Sequence, residues 1–429
     1  MSYTLQRHEG KVTYRDAIEK VDVTIAEDRC GGLFLCPEPG LPSPGLIASA
    51  FDQPVDSPPL REIARGARSA VLLVSDSTRA VPTADVMPSI VKELARGDLD
   101  FDRIKAVVGT GVHRPATGDE MRVILGDAFW KCIAVENHTP YDEDNLVFIG
   151  STSLGTPVRV NKTVWDADLR IAIGKVEPHE FAGFSGGRKS VLPGISAEDT
   201  IRINHSPKLL MSPSAIPGCL EGNPIHQDML EAARLLGVHF CVNILTDAQN
   251  RLIDLVCGEL EKSHLVAVER LRKRIGIPLE SRPELVVTTP GTPLNMNLYQ
   301  SVKALLAVAP IMHPNGVIVL YSRCEEGVDS DDMLLPFRQS RNLDGVLDYL
   351  GEHYGIQMDH ALLLTKVFQA GLRVVAVSPN VSDDTFELLH MVPAKTLSDG
   401  IRMAFEMLGE KEGKVLFFPR PQSTLPYMR

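Results

Sequence analysis

Ala70-Val71-Leu72-Leu73-Val74-Ser75-Asp76-Ser77-Thr78-Arg79 is an apolar run that ends abruptly in polar residues. Six residues rich in Val and Leu, Ala70 to Ser75, read as a buried strand, and the polar loop after it leads into a helical pattern over Ala84 to Ala95. The same unit recurs downstream. Ile104 to Val108 is a second strand, closed by Gly109-Thr110-Gly111-Val112-His113-Arg114-Pro115. Cys132 to Glu136, Leu146 to Gly150 and Leu169 to Ile173 read as further strands. Repeated strand-loop-helix order predicts an α/β sheet with helices on its faces. Ligands bind such sheets beyond the carboxyl ends of the strands, where Asp76 to Arg79 and Gly109 to Arg114 both fall.

Further along, Ser196-Ala197-Glu198-Asp199 resembles a capping box that starts a helix toward His205. Gln227 to Leu236 and Leu265 to Ile275 are helical, the latter with Leu265, Val268, Leu271 and Ile275 on one face. Gly276-Ile277-Pro278 and Ser281-Arg282-Pro283 then read as a domain junction. A second α/β series begins at Glu284, with strands at Leu285 to Thr288, Gly316 to Tyr321, Arg373 to Val377 and Val415 to Phe418. Its helices are Leu298 to Ala309, Ala361 to Gln369 and Leu397 to Met407. The expectation is two α/β domains, 1–276 and 284–429, the second a smaller doubly wound domain, with a cofactor and substrate cleft between them.

A chain of 429 residues is too long for one ordinary core, which agrees with two domains. A formal net charge of −11 argues against nucleic-acid or anionic-membrane partners. The seven cysteines are scattered, odd in number and form no CxxC pair, which suits a reduced cytoplasmic setting. The N-terminus has no signal-peptide pattern, and no apolar run approaches membrane-spanning length.

The densest chemistry lies in Pro178-His179-Glu180-Phe181-Ala182-Gly183-Phe184-Ser185-Gly186-Gly187-Arg188-Lys189-Ser190, followed by Asn204-His205. It places a proton carrier, an amine and a possible metal ligand in one short span. The glycine-rich turn fails the P-loop pattern, because Arg188 stands where the last glycine should precede lysine. Gly109-Thr110-Gly111 fails the dinucleotide fingerprint at Arg114. Glycine spacing alone favours a tight turn at both places. His113 and His179 both follow strands, and a lone loop histidine is ordinarily a surface residue. Two of them on opposite faces of a substrate suit a reaction that takes and gives protons from both sides. Arg79 can bind a carboxylate in a bidentate fork or simply pair at the surface. Gln300 and Lys303 share a helix face, which is either solvated or turned to the cleft. No HExxH or paired Cys/His cluster marks a conventional zinc site.

Together these segments resemble the nickel-dependent lactate racemase family. The resemblance is carried by Ser75-Asp76-Ser77-Thr78-Arg79, Gly111-Val112-His113-Arg114-Pro115, Glu177 through Ser190, Asn204-His205 and Asn297-Leu298-Tyr299-Gln300-Ser301-Val302-Lys303, in the family's order. It implies a nickel-pincer nucleotide, a pyridinium-3-thioamide-5-thiocarboxylic acid mononucleotide joined through a thioamide to Lys189. It implies His205 as the nickel ligand and His113 and His179 as the acid/base pair. Gly183, Ser185, Gly186 and Gly187 would cradle the cofactor, with Asp76 supporting the site. Arg79, Tyr299, Gln300 and Lys303 would contact the substrate, a small 2-hydroxy acid inverted at C2 by hydride transfer. Cofactor-building proteins are implied partners, and protein made without them is expected to be apo.

The wording departs from the family's at Ser77, where histidine is common, at Ala80, where proline is common, and near Asn295, where an acidic residue is expected. These positions put lactate itself in doubt. Two other readings compete: a non-redox nucleotide- or phosphate-binding protein, and a conventional metal-dependent hydrolase joining His113, His179 and His205 at one ion.

Overall fold

The computed structural model describes residues 2–37, 40, 42–409 and 413–429. It divides into two compact units. The first, termed the N-terminal unit, comprises Glu38–His205 and Gly218–Arg274. The other, the C-terminal unit, comprises Met1–Pro37, Ser206–Pro217 and Ile275–Arg429. Both are α/β.

The N-terminal unit is built on a six-stranded sheet. Its order is Leu252–Gly258, Phe240–Thr246, Leu169–Lys175, Ala70–Ser75, Ile104–Gly109 and Ala134–Asn137. All neighbours are parallel except Leu252–Gly258, which returns antiparallel on Phe240–Thr246. Leu72, Val74, Ala106, Val108, Ile171 and Ile173 on one face and Leu73, Val107 and Ala172 on the other are almost wholly buried, which explains continuous apolar runs rather than alternation. Each fully buried Val or Leu contributes about 1.5–3 kcal/mol. Chain order runs from Ala70–Ser75 outward to one edge, then returns to Leu169–Lys175 on the other side. The topological switch point therefore lies between these two strands, where such sheets bind ligands.

The C-terminal unit holds a second six-stranded parallel sheet, ordered Val392–Pro393, Arg373–Val377, Val317–Tyr321, Leu285–Thr289, Val415–Pro419 and Cys30–Leu33. Its edge strand Cys30–Leu33 comes from the start of the chain. The antiparallel strands Tyr3–His8, Lys11–Asp16 and Val21–Ala26 precede it in the same unit. Tyr14 stacks on Phe417 with ring centroids 4.4 Å apart, and Asp16 accepts a hydrogen bond from Thr289 Oγ1 at 2.8 Å.

Gly276-Ile277-Pro278, read as part of a domain junction, follows directly on the boundary between the units at Arg274/Ile275 and belongs to a strand, Gly276–Leu279, parallel to Leu425–Met428. Two local expectations need correction. Among the described residues, Leu146–Ser151 pairs only with Pro157–Asn161, in a separate hairpin. No capping box forms at Ser196: the helix Glu198–Asn204 starts at Ala197 without a side-chain cap, because Ser196 Oγ donates to the Val191 carbonyl.

Candidate functional site

Asp76 caps the short 3₁₀ turn Ser77–Arg79, accepting from the Thr78 amide at 3.1 Å and the Thr78 hydroxyl at 2.6 Å. Its other oxygen lies 2.7 Å from His113 Nδ1. Burial pushes the Asp76 carboxyl up, but the His113 and Thr78 bonds and the nearby charges outweigh it and hold the group below the usual carboxylate range. Aligned strands Ala70–Ser75 and Ile104–Gly109 bring these two loops together. Glu120 ties them a second time. It accepts from Ser77 Oγ at 2.9 Å and takes a bidentate pair from Arg114 at 2.7 and 2.8 Å. It also completes a capping box with Thr117. Ser77 and Ala80, two of the departures from the family's wording, line a hollow of ≈ 370 Å³ together with Asp76 and Glu120. Ala80 has φ +46°, a conformation closed to proline.

On the other side of the switch point, Pro178–His179 pairs with Gly183–Phe184 in a tight hairpin. His179 is buried, with Nδ1 3.1 Å from Glu180 Oε2 and 3.5 Å from the Ala182 amide that donates to it. Phe181 organises what surrounds it. The His179 ring meets it edge-on at 4.6 Å, the His205 ring at 5.0 Å, and Lys189 Nζ lies 5.7 Å from its centroid. His179, Lys189 and His205 thus converge on one aromatic ring, a centre that sequence spacing alone does not reveal. His205 ends the helix Glu198–Asn204 and places Nδ1 3.1 Å from the Ile201 carbonyl. A carbonyl only accepts, so the proton sits on Nδ1 and the lone pair on Nε2.

Arg188, which breaks the P-loop pattern, turns inward. It is 1% exposed and donates to the Ala182 and Phe184 carbonyls at 3.0 and 2.8 Å, with His264 Nε2 at 2.9 Å. Burial pushes its pKa down to about 9. The guanidinium therefore serves as the internal frame of the glycine-rich loop. Ser185 Oγ is likewise spent on that loop, donating to the Lys175 carbonyl and accepting from the Glu177 amide. Gly186 has φ +89°, and a Cβ there would lie 2.6 Å from Val176. Gly109 backs onto Gly194, where a Cβ would come within 3.2 Å, and the Gly111 amide donates to the Gly194 carbonyl at 2.9 Å. The first glycine-rich loop is thereby docked backbone to backbone on the turn that follows the second.

Tyr299, Gln300 and Lys303 lie on Leu298–Val308 in the C-terminal unit, whose N-cap Asn297 accepts from the Gln300 amide. Tyr299 donates to Asp359 Oδ1 at 3.2 Å. In the same unit, the segment directly after His205 is held by Lys366. Its Nζ donates to the Leu210, Ser212 and Ala215 carbonyls at 3.1, 2.6 and 3.1 Å. Lys366 carried no motif, so no sequence signal singled it out.

Among the described residues no three His, Cys, Asp or Glu side chains converge as a metal site. The hydrolase reading is left without a ligand set. The donors present do fit a group that brings most of its own ligands: one amine, Lys189, and one imidazole with its lone pair fixed on Nε2, His205.

A doubly wound sheet that gathers two carboxylate-backed histidines, an amine and a carbonyl-backed histidine beside its switch point defines an α/β enzyme. A model of the lactate racemase N-terminal domain matches residues 20–217, and one of the lactate racemase C-terminal domain matches 280–424. The chain is 32% identical to a lactate racemase of Lactiplantibacillus plantarum and 28% to one of Thermoanaerobacterium thermosaccharolyticum. Each alignment covers 87% of this chain and 88% of the relative. The solved lactate racemase apoprotein of T. thermosaccharolyticum matches with a TM-score of 0.87, over 95% of this chain and 97% of that one. A Thermotoga maritima protein at 18% identity and a TM-score of 0.64 shares the fold. The chain belongs to the lactate racemase family and is an isomerase of the racemase class.

Proposed function

We propose that the protein inverts C2 of a 2-hydroxy acid by hydride transfer, with His113 and His179 as the proton carriers. The observation that carries this reading is the backing of each ring: a carboxylate stands at Nδ1 of both histidines, while a carbonyl stands at Nδ1 of His205. A carboxylate beside Nδ1 stabilises the cation formed when Nε2 takes up a proton, and where it is hydrogen-bonded there, as Asp76 is to His113, it also fixes the tautomer. A carbonyl there leaves a neutral imidazole suited to a metal.

The nickel-pincer nucleotide, held by Lys189 and His205 within the glycine-rich loop, would supply a hydride acceptor and donor for C2. The protein's residues do the rest. One histidine accepts the C2 hydroxyl proton at Nε2, so that no dianion forms next to the carboxylate. The other returns a proton after the planar carbonyl has presented its opposite face. Arg79 grips the carboxylate in a bidentate fork, so that only the carbonyl end reorients. Tyr299, Gln300 and Lys303 are assigned to substrate binding, and Asp76 orients His113. No described helix is long and apolar enough to cross a membrane. The seven free cysteines support a cytoplasmic setting.

The test uses protein produced alongside cofactor-building enzymes. Intact mass should show an adduct at Lys189, with nickel that is lost in His205→Ala. His113→Ala and His179→Ala should each lower racemisation by about 10²-fold or more with the adduct retained. An unmodified Lys189 under these conditions refutes the cofactor assignment, and full racemisation by both variants refutes the histidine roles.

A further inference from the structure

Asp76 is buried, and its carboxylate serves His113 at 2.7 Å and the Thr78 hydroxyl at 2.6 Å. Arg114 follows His113 directly in the chain. It is a better partner for a carboxylate than an imidazole is, because a guanidinium is always charged and grips both oxygens in a planar fork. The Asp76 charge reaches it: the Arg114 pKa is raised first by the bond to Glu120 and, more weakly, by Asp76. Left free, Arg114 would compete with His113 for Asp76.

Glu120 takes the guanidinium instead. Its oxygens accept Arg114 Nη2 at 2.7 Å and Nη1 at 2.8 Å, which occupies the fork. Two further donors fix Glu120 in place, the Thr117 amide at 2.8 Å and the Ser77 hydroxyl at 2.9 Å. Arg114 first, then Thr117 and Ser77, hold its carboxyl well below the usual carboxylate range. Ser77 adjoins Asp76 and Arg114 adjoins His113, so two carboxylates serve neighbouring residues of the same two loops. Asp76 and Glu120 also line one hollow of ≈ 370 Å³, which gives a released guanidinium room to turn toward Asp76. The Arg114 side chain is 65% exposed, and its remaining bond is to the adjacent Pro115 carbonyl at 3.1 Å. An ion pair this exposed adds little to stability, so its purpose is to be sought in the site it borders.

We propose that Glu120 is a positioning residue: it captures Arg114 and thereby reserves Asp76 for His113. The proposal rests on the reading of His113 as a proton carrier and adds the device that keeps its carboxylate free.

The test is a suppressor experiment on cofactor-loaded protein, with lactate and 2-hydroxybutyrate as single enantiomers. Glu120→Gln keeps an oxygen for the helix cap but gives up the charge and half of the fork. It should lower kcat about tenfold, a fraction of the loss expected when the orienting carboxylate itself is removed. Arg114→Gln alone should cost less than Glu120→Gln. Adding Arg114→Gln to Glu120→Gln should bring kcat back to within about threefold of native, because the competing guanidinium is gone. A plain tether predicts the opposite, a double variant no better than Glu120→Gln. Long-range nitrogen–proton NMR of the apoprotein with isotope-labelled histidine gives a readout independent of the cofactor, the His113 signals being those absent from His113→Ala. In the neutral ring the proton should sit on Nδ1 in the native chain, shift toward Nε2 in Glu120→Gln and return to Nδ1 in the double variant. If Glu120→Gln misfolds by circular dichroism, Glu120→Asp replaces it, since its carboxylate falls one methylene short of the fork. Native kcat in Glu120→Gln, an equal loss in Arg114→Gln, or no recovery in the double variant overturns the proposal while the racemase reading stands. Loaded native protein that inverts neither acid counts against the racemase reading itself, and the His113 tautomer then decides the role of Glu120 separately.

Discussion

At the scale of single residues, the atom behind each imidazole decides what the ring is fit for. Asp76 behind His113 and Glu180 behind His179 prepare proton carriers, and Ile201 behind His205 prepares a neutral ligand. Asp76→Asn should keep the fold but favour the wrong His113 tautomer, lowering kcat by roughly 10²–10⁴-fold. The same substitution has a pH signature. The folded Asp76 carboxyl lies below its ordinary value, so its contribution to stability is present above about pH 4 and lost as pH falls through the folded pKa. Urea unfolding should therefore show Asp76→Asn losing less stability than the native chain between about pH 6 and about pH 3. An equal loss contradicts the pairing. The types and order of His113, His179, Lys189 and His205 were legible in the sequence. Their common centre was not, because Phe181 reads as one apolar residue among several until the hairpin turns it between the rings.

At the scale of elements, one buried and one half-buried cation hold the segments that carry the chemistry. Arg188 turns its terminal nitrogens on carbonyls of its own loop and on His264. Arg188→Met should leave these carbonyls unpaired and destabilise the protein by about 2–5 kcal/mol, read by urea unfolding. Arg188→Lys should restore little, since an ammonium cannot reproduce the planar fork. A native unfolding curve for Arg188→Met contradicts the framing role. Lys366 acts in a similar way on Ser206–Pro217, and burial pushes its pKa down to about 8. Lys366→Met should speed hydrogen exchange in that segment more than in the strands Leu285–Thr289 and Val317–Tyr321. Uniform change across all three contradicts a local clamp. Strands with long apolar runs were read nearly to the residue, Ala70–Ser75 and Arg373–Val377 among them. The start of the helix leading to His205 was misread, because Ser196 spends its hydroxyl on Val191, a partner that only the tertiary fold supplies.

At the scale of the whole molecule, each unit is assembled from separated stretches of chain. A linear reading finds the strand-helix alternation but has no signal for residues near the start joining a sheet completed near position 419. The link is made by contacts remote in sequence, such as Tyr14 against Phe417. Tyr14→Ala should cost about 3–5 kcal/mol, as for other large aromatic truncations, and should lower the unfolding midpoint of the C-terminal unit. Protection of Leu285–Thr289 and Val317–Tyr321 in hydrogen exchange reports on that unit directly.

The central claim, that C2 is inverted by moving hydride while His113 and His179 handle only the hydroxyl proton, has one direct test. Protein loaded at Lys189 is given a single-enantiomer 2-hydroxy acid deuterated at C2, in ordinary water. The opposite enantiomer should form with its deuterium retained at C2. Product of inverted configuration that has exchanged its C2 deuterium for solvent hydrogen would contradict it, because it would mean that C2 is deprotonated and reprotonated instead.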